Sequence, residues 1–506
     1  MAAFVFTQII GLVRGFVVLR AFGTTAVMDS FNAANRVTEV LFNLMAGGAL
    51  GSAFIPTFTG LLAHDQRERA WKLASSVANL LILVLTGVSL LAFIFAPQVV
   101  RYGLYVLNPG ESAGQEQLTV ELLRIMLPTV VIFGLSGLVM GILNAHQKFW
   151  LPAIAPAMYS IGQMLGVWLF PAEWGIQRLA YGALIGAAMH LLVQSPDLLH
   201  LHGRYSLTFG RRIAEVGEVI RLMGPRILGV AVVQANFFVN TIVGLSLPAG
   251  SVSALTLAFT WMMMPEVAIA QSVATALMPS LSAQAALQQW DDLRETLAAS
   301  LRAVLLLAIP ASVGLMLLRT PLLSIYEGGE FTVQSTQLAA WAWLWYAAGL
   351  VFHSLVELLV RAFYALHDTR TPVSITFAAM SLNVLFSFTF PRWFAALGWL
   401  PVGGLALANS LATSLECLAL IFFLRRRLGS LEGRKIAGAV LRALAAALLM
   451  GASVAGFLAL NLPLAGALTV LLGAGIGAVI YAAALTALKT PEVFMLLRVV
   501  RARLGR

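Results

Sequence analysis

The sequence has 506 residues, of which 60% are hydrophobic and only 11% are charged, and its formal net charge is +10. Soluble domains are typically about 45–50% apolar and about 25% charged, so these proportions exclude an ordinary soluble protein. The single cysteine, Cys417, excludes a disulfide framework and a cysteine-rich metal site.

Long apolar segments recur along the whole chain and predict an all-α polytopic membrane protein. Such segments are long enough to cross about 30 Å of hydrocarbon as helices and too long for the strands of an outer-membrane barrel. Their lengths and helix-breaking residues predict about 14 transmembrane helices. The approximate limits are 2–22, 26–60, 72–98, 120–145, 150–170, 177–199, 218–246, 251–283, 298–318, 335–365, 371–391, 400–424, 437–460 and 465–487.

Lysine and arginine residues are distributed unevenly among the predicted loops. Roughly 22 follow even-numbered spans or lie in the C-terminal tail, and roughly 4 follow odd-numbered spans. Under the positive-inside rule, this asymmetry predicts that both termini are cytoplasmic. Because topology and anionic lipid account for the basic charge, we expect the lipid bilayer as a partner and no nucleic acid. We expect the protein to be a monomer.

Two short motifs occur twice in the chain. AFIPTFT (53–59) resembles ALMPSLS (276–282), and NAHQKFWLP (144–152) resembles YALHDTRTP (364–372). Six predicted spans separate the equivalent helices, so the repeat predicts two parallel six-helix bundles related by a pseudo-twofold axis along the membrane normal. The predicted parts are two bundles, an extra transmembrane helix pair and a basic amphipathic cytoplasmic tail: 1–200, 218–425, 436–487 and 490–506.

The first two predicted helices carry charges that apolar segments rarely contain. Arg14 and Arg20 lie in the first helix, and Asp29, Arg36 and Glu39 lie in the second. A lone cation at the bilayer centre costs roughly 2.5–3.5 kcal/mol even on lenient insertion scales. We therefore interpret the arginines as the anion-binding lining of a water-filled cavity, with carboxylates that orient or gate them. Alternatively, the charges near helix ends extend to the membrane interface.

The seventh and eighth predicted helices add polar residues to this hypothesis. Arg226, Gln234, Asn236 and Asn240 lie in the seventh helix, and Glu266 follows a proline in the eighth. Arg226 could line the cavity or anchor the helix at the cytoplasmic interface. Gln234 and Asn240 could line the cavity or form hydrogen bonds between helices. Glu266 could pair with an arginine or carry a proton.

Motifs of known enzymes are absent from the sequence. It has no His-Glu-x-x-His motif, no phosphate-binding loop and no G-x-S-x-G motif. We therefore expect no enzymatic activity, no metal and no cofactor. Two bundles with polar residues between them are typical of alternating-access transporters. In the absence of a nucleotide site, coupling to membrane potential, sodium or protons would drive such transport.

Several segments match the motifs of one transporter family in the same order along residues 1–425. They are IIGLVRGFVVLRAFG (9–23), DSFNAA (29–34), GGALGSAFIPTF (47–58), ILNAHQKFWLPAIAP (142–156), GPRILGVAVVQANFFVNTI (224–242), LPAGSVSAL (247–255), ALMPSLS (276–282) and RAFYALHDTRTPVSI (361–375). Together they resemble the MurJ/MviN family of lipid II flippases, within the multidrug/oligosaccharidyl-lipid/polysaccharide exporter superfamily. The resemblance implies a protein of the bacterial cytoplasmic membrane with a cationic cavity for the pyrophosphate and sugar of a lipid-linked peptidoglycan precursor.

The resemblance is uneven at the charged positions of the family. Arg14 and Asp29 coincide with the family's arginine of the first helix and aspartate of the second, and Arg20 and Arg36 occupy positions that are commonly basic. Gln8 stands where the family has an earlier arginine. The resemblance therefore carries over only part of the family's charged site.

These observations predict a lipid II flippase that works by alternating access in cell-wall synthesis. The predicted substrate-binding residues are Arg14, Arg20, Arg36 and Arg226; the gating or charge-pairing residues are Asp29, Glu39 and Glu266; and the polar lining residues are Gln8, Gln234, Asn236 and Asn240. Two alternatives stay open on the residues alone. One is an exporter of another lipid-linked polysaccharide precursor or of a small molecule. The other is a non-transporting scaffold that has lost the site.

Overall fold

The computed structural model describes residues 2–45, 48–110, 113–210 and 213–492. Ten helical stretches in these ranges are long and apolar enough to cross a membrane. Each of the segments predicted as a span contains helix, which confirms the all-α membrane fold. The surface helix predicted for the C-terminal tail, 490–506, falls almost entirely outside the described ranges.

The first compact unit consists of the residues up to Ser253 together with Gly328–Thr332. One apolar cluster forms where its first, second, sixth and eighth helices meet, and another joins its third, fourth and sixth helices. A π-helical segment, Val99–Leu104, follows the fifth helix. The helices are α1 (Ala2–Phe22), α2 (Ala26–Met45), α3 (Gly48–Ala63), α4 (Arg67–Ile94), α5 (Ala96–Gln98), α6 (Ala113–Ala145), α7 (Trp150–Leu169), α8 (Gln177–Leu192), α9 (Ser195–His200) and α10 (Ala214–Leu245).

The second compact unit contains residues Ala254–Glu327 and the chain from Val333 onward. A single large apolar cluster joins most of its helices. Its helices, of which the first begins within the first unit, are α11 (Ser251–Glu266), α12 (Ser272–Ala286), α13 (Trp290–Ser324), α14 (Val333–Ala365), α15 (Arg370–Ala396), α16 (Val402–Leu428), α17 (Gly433–Ala459) and α18 (Gly466–Ala487). A π-helical segment, Val267–Gln271, separates α11 from α12.

Two helix ends in the first unit have counterparts in the second. Asp65 and Gln288, which follow α3 and α12, have left-handed φ angles of 58° and 56°, and Gln147 and His367, which follow α6 and α14, have φ angles of 59° and 56°. In all four, the backbone amide donates to the carbonyl three residues earlier. The positions matched by the sequence repeat therefore have the same local backbone structure.

A contact between an arginine and a helix end also recurs in both units. Arg67 Nη2 donates to the carbonyl oxygen of Leu201 at 2.6 Å, and Arg294 Nε donates to that of Leu428 at 2.5 Å. The acceptor lies 134 residues after the arginine in both cases. Since the last carbonyls of a helix have no partner within it, a guanidinium there satisfies them and complements the helix dipole.

The packing of α10 differs from the arrangement that the sequence repeat suggests. The repeat places residues 218–425 in one bundle, whereas α10 packs against α2 and α3 in the first unit. A sequence repeat shows the order of equivalent helices along the chain, whereas packing shows which helices are in contact. The two can therefore group α10 differently. The predicted bundle limits, 1–200 and 218–425, therefore stay a prediction about the repeat.

The extra helix pair, α17 and α18, packs against α13 in the second unit. The Tyr481 hydroxyl donates to the carbonyl oxygen of Leu306 on α13 at 2.8 Å. Arg302 on α13 donates to Glu432 at 3.2 Å and to Glu492 at 2.8 Å. One guanidinium therefore connects α13 to the residues that precede α17 and follow α18.

An ion pair recurs in the two units with its charges exchanged. Lys148 contacts Asp197 at 3.0 Å in the first unit, and Asp368 pairs with Arg427 in the second. Asp368 also accepts hydrogen bonds from the Thr371 amide at 3.0 Å and the Thr371 hydroxyl at 2.8 Å. Asp368 therefore caps the first turn of α15 and also pairs with the end of α16.

The pH dependence of unfolding tests this cap. The Thr371 amide, foremost, and then the Thr371 hydroxyl and Arg427 hold the pKa of Asp368 below its ordinary value of 3.8. A lowered folded-state pKa stabilises the protein above the unfolded pKa, and this stability is lost as pH falls through the folded pKa. Asp368→Asn should lower the thermal unfolding midpoint in detergent at pH 7, and its difference from wild type should shrink below about pH 4. A difference that stayed constant from pH 7 to pH 3 would contradict this account.

Candidate functional site

Arg14 lies in the middle of α1 and faces α7. Its Nη1 donates to the side-chain oxygen of Gln163 at 3.0 Å, and Gln163 is only 3% exposed. Tyr159, four residues earlier on α7, also hydrogen-bonds to Gln163. Residues four apart lie on the same helix face, so α7 presents a tyrosine and a glutamine together to the guanidinium. These contacts position a half-buried cation inside an apolar bundle.

Arg36 lies on α2 and forms a second polar group with its own neighbours. Its Nη1 contacts Glu39 at 2.7 Å, and Glu39 also accepts a hydrogen bond from Asn35 at 2.8 Å. The guanidinium lies 5.2 Å from the centre of the Phe237 ring on α10. Its Nε atom is buried without a hydrogen-bond partner in the described part of the chain. Arg36 therefore keeps a donor for which the described residues supply no acceptor.

Tyr159 connects these two groups. It lies within electrostatic range of both Arg14 and Glu39, and Glu39 contacts Arg36. We call these four residues, together with Gln163, the cationic cluster. It contains two guanidinium groups and one carboxylate, so its formal charge is positive. Such a cluster is suited to an anion, because guanidinium groups bind phosphate oxygens through fixed pairs of donors.

Close packing of α7 on α8 fixes the position of Gln163. A Cβ atom added to Gly162 would lie 2.2 Å from the Cα of Gly186, and one added to Gly166 would lie 2.4 Å from the Cα of Gly182. Each helix thus has two glycines four residues apart, an arrangement that allows transmembrane helices to approach backbone to backbone. Gln163 directly follows Gly162, so this interface determines how far α7 extends toward Arg14.

Widening this interface should disrupt the cluster without changing its residues. In Gly182→Leu the new side chain meets the α7 backbone, and overpacking of this kind costs about 1–3 kcal/mol. We expect a lower unfolding midpoint and loss of transport, because Gln163 no longer reaches Arg14. Gly137→Leu on α6 is the matched control, since a Cβ atom there has nothing within 4 Å. Equal effects of the two variants would show that the glycine contact is unimportant.

Asp29 lies at the start of α2 and has partners other than an arginine. Its carboxylate is 4% exposed and accepts hydrogen bonds from the Gly250 amide at 2.6 Å, the Ser253 amide at 2.7 Å and the Ser253 hydroxyl at 2.6 Å. The same hydroxyl accepts a hydrogen bond from Asn32 at 3.1 Å. Asp29 therefore satisfies the first amides of α11, which would otherwise lack acceptors.

Arg20 lies near the end of α1, six residues after Arg14. Its side chain is exposed, and the guanidinium carbon lies 4.2 Å from the centre of the Phe16 ring. Its backbone carbonyl accepts a hydrogen bond from the Glu330 amide at 3.0 Å. A Cβ atom on Gly329 would lie 2.2 Å from the same carbonyl oxygen. Glycine therefore allows the segment Gly328–Thr332 to contact the end of α1.

The other predicted lining residues of the first unit lie on α1 and α10. Asn236 is buried and 3.5 Å from the amide nitrogen of Asn240, while Gln234 has a buried side-chain oxygen without a partner in the described residues. Gln8 is exposed on α1. The backbone of Arg226 belongs to α10, and its side chain lies outside the described residues. Phe237, which contacts Arg36, brings this face of α10 next to the cluster.

Glu266 belongs to the second unit. It is 4% exposed, follows Pro265 and immediately precedes the π-helical segment. In the described part of the chain its carboxylate is in no ion pair with an arginine, and Arg361 on α14 pairs with Glu357. Arg36 contacts Glu39, and Arg14 and Glu39 both lie within electrostatic range of Tyr159. Glu266 belongs instead to the second unit.

Several residues of the site are uncharged and are not conspicuous in the sequence. Gln163 and Tyr159 are polar residues in an apolar helix, and that was their only signal in the sequence. Phe237 carried no signal, because an aromatic residue in a membrane helix is ordinary. In the described residues, no group of three or more His, Cys, Asp or Glu side chains could hold a metal ion.

Comparison with known proteins gives one consistent family. The sequence model of the family described as lipid II flippase MurJ matches residues 18–473. A probable lipid II flippase MurJ from Vibrio cholerae is 30% identical over 424 residues, covering 82% of this chain and 79% of that protein. The lipid II flippase MurJ from Burkholderia cenocepacia is 29% identical over 433 residues, covering 83% of this chain and 81% of that protein.

A solved structure supports the same fold. The structure described as lipid II flippase MurJ in an inward closed conformation matches with a TM-score of 0.80 and 24% identity. The match covers 97% of this chain and 99% of that one. The helices described above therefore follow the path of a known transporter fold over nearly their whole length.

Proposed function

Because the chain belongs to the MurJ lipid II flippase family, we propose that it moves lipid II from the cytoplasmic to the outer leaflet of the membrane. The substrate is an undecaprenyl-pyrophosphate-linked sugar, and the movement occurs by alternating access. The protein is a multi-pass protein of the bacterial cytoplasmic membrane and takes its substrate from the lipid bilayer. It serves cell-wall synthesis as a transporter and catalyses no chemical reaction.

The cationic cluster is the observation that carries this proposal. The diphosphate brings negative charge into a low-dielectric region, and only cations or strong hydrogen-bond donors can compensate that charge there. Arg14 and Arg36 bind the diphosphate, with Gln163 and Glu39 holding their guanidinium groups in place. The unused Nε donor of Arg36 is available for a phosphate oxygen.

The remaining predicted site residues have supporting roles in this proposal. Arg20 and Arg226 attract the anionic headgroup, and Glu39 releases Arg36 when the diphosphate arrives. Polar side chains at Gln8, Gln234, Asn236 and Asn240 bind the sugar hydroxyls. We propose that the protein works as a monomer with both termini in the cytoplasm. We further propose that an ion gradient or the membrane potential drives the cycle without a bound cofactor.

A leaflet-resolved assay tests the proposed function. Cells depleted of their native flippase accumulate lipid II in the inner leaflet, where an external lipid II-degrading enzyme cannot reach it. Supplying this chain should make lipid II accessible from outside and restore growth. Restored growth without accessible lipid II would refute the proposal. The proposal would also be refuted if the protein reached normal abundance in the membrane and changed neither lipid II accessibility nor growth. Export of a different lipid-linked glycan by the same cells would identify another cargo.

A further inference from the structure

Glu266 is a deeply buried carboxylate with an incomplete set of partners. Only 4% of the residue is exposed, and its Oε2 atom is buried without a hydrogen-bond partner in the described residues. Buried polar groups are almost always hydrogen-bonded, because an unpaired one costs free energy. An ionised carboxylate in this position would cost far more, and buried acids usually avoid that cost by holding a proton.

The charged groups around Glu266 favour the neutral form. The elements packed on the π-helical segment beside it are α12, α13 and α14. The sequence of α12 contains no titratable residue, and α13 has none between Arg302 and Arg319. On α14 the titratable side chains are Tyr346, His353, Glu357, Arg361 and Tyr364.

The nearest charge on α14 is of the same sign as a carboxylate. Glu357 lies close enough to repel the charge of an ionised Glu266. Arg361, one turn further along α14, donates to Glu357 and is therefore committed to it. His353 hydrogen-bonds to Asn409 at 3.1 Å. No described cation is thus available to compensate a negative charge on Glu266.

The backbone at Glu266 is irregular in a way that allows movement. Pro265 removes a backbone donor, and the π-helical segment Val267–Gln271 begins directly after Glu266. Widened turns of this kind bend helices and occur frequently at functional sites. A one-residue shift of the π-helical turn along the helix would rotate Glu266 to a different face. The carboxyl group therefore lies at an irregular point of the helix, between a proline and a π-helical segment.

We infer that Glu266 is a proton-binding site of the second unit and couples the transport cycle to the proton gradient. The carboxyl group holds a proton in the buried arrangement described here. When the π-helical turn shifts and brings Glu266 to water, the O–H bond breaks and the proton passes to water. The carboxylate takes up a proton again on its return. The coupling role rests on the proposed transport function, whereas proton binding does not.

Infrared difference spectroscopy tests proton binding without any substrate. The full-length protein in lipid nanodiscs is titrated, and the C=O stretching band of protonated carboxylic acids is followed. Glu266→Gln should remove one band that titrates, and Glu266→Asp should shift it. Glu416→Gln is the matched control, because Glu416 is a buried carboxylate of the same unit that accepts a hydrogen bond from Thr376. If the Glu266→Gln protein is monodisperse and every titrating C=O band is unchanged, the inference is wrong.

Transport in proteoliposomes tests the coupling. With one proton per cycle, a gradient of one pH unit changes the steady-state ratio of lipid II between leaflets by about tenfold. Glu266→Gln should abolish that response, and Glu416→Gln should keep it. A pH response that survives in Glu266→Gln overturns the coupling. If the wild-type protein moves no lipid II but shows the infrared band of Glu266, the proposed function is wrong and the proton-binding site stands. If the wild-type protein moves lipid II but lacks that band, the proposed function stands and the proton-binding site is wrong.

Discussion

Replacing Arg14 by alanine should abolish the growth rescue of a flippase-depleted strain. Arg14 is a half-buried cation of the cluster, and its Nη1 donates to the uncharged side chain of Gln163. Under the proposed function, its positive charge attracts the diphosphate. Each hydrogen bond between charged partners contributes about 1.5–3 kcal/mol. Loss of a bidentate contact to the diphosphate should therefore weaken substrate binding about a hundredfold or more. Growth of depleted cells and lipid II accessibility measure the effect.

The control for this prediction is another arginine of the same unit. Arg124 lies 5.1 Å from the Phe93 ring and donates to a backbone carbonyl at 3.3 Å, remote from the cluster in its contacts. Arg124→Ala removes an equal charge and an equal side chain, and we expect near-normal rescue. Both variants must reach wild-type abundance in the membrane. Full growth with Arg14→Ala would exclude Arg14 from the transport site.

The fold was predictable because its main determinant is local. Stretches of apolar residues long enough for the bilayer define the helices, and the prediction of a first helix at 2–22 matches α1, Ala2–Phe22. The repeat could also be predicted because its determinants are local. Asp65 and Gln288 each follow the end of a helix and donate to a carbonyl oxygen within the same turn. The packing of α10 against α2 and α3 could not be predicted from the sequence. It depends on the relative stability of alternative helix contacts, which single-helix patterns do not contain.

The candidate site was predictable in its charges and not in their partners. A charge in an apolar helix is conspicuous in any sequence, so Arg14, Arg36 and Glu39 could be selected directly. The partner of Arg14 is a glutamine 149 residues away, and only the tertiary structure brings it near. Asp29 has the same conspicuous signal as the others, yet the structure pairs it with backbone amides. Charge alone therefore identifies residues that need partners, without identifying the partners.

Replacing Asp29 by alanine should produce the largest loss of stability in the first helix pair. Three donors of Gly250 and Ser253 lose their acceptor inside the protein. Loss of a helix cap costs about 0.5–2 kcal/mol, and a buried donor left without an acceptor adds about 1–3 kcal/mol. We expect the free energy of unfolding to fall by about 3 kcal/mol, measured by equilibrium unfolding in mixed micelles.

Glu39→Gln separates stability from function on the same helix. The Glu39 side chain is 43% exposed, and its ion pair with Arg36 is local to α2. Exposed pairs of this kind contribute about 0–1 kcal/mol, so unfolding should change little while transport falls. Asp29→Ala should instead lower stability, with transport per folded molecule less affected. If Asp29→Ala left the free energy of unfolding unchanged and abolished transport, Asp29 would act as a gating residue. The two carboxylates of α2 therefore distinguish a structural cap from a group that positions a substrate-binding cation.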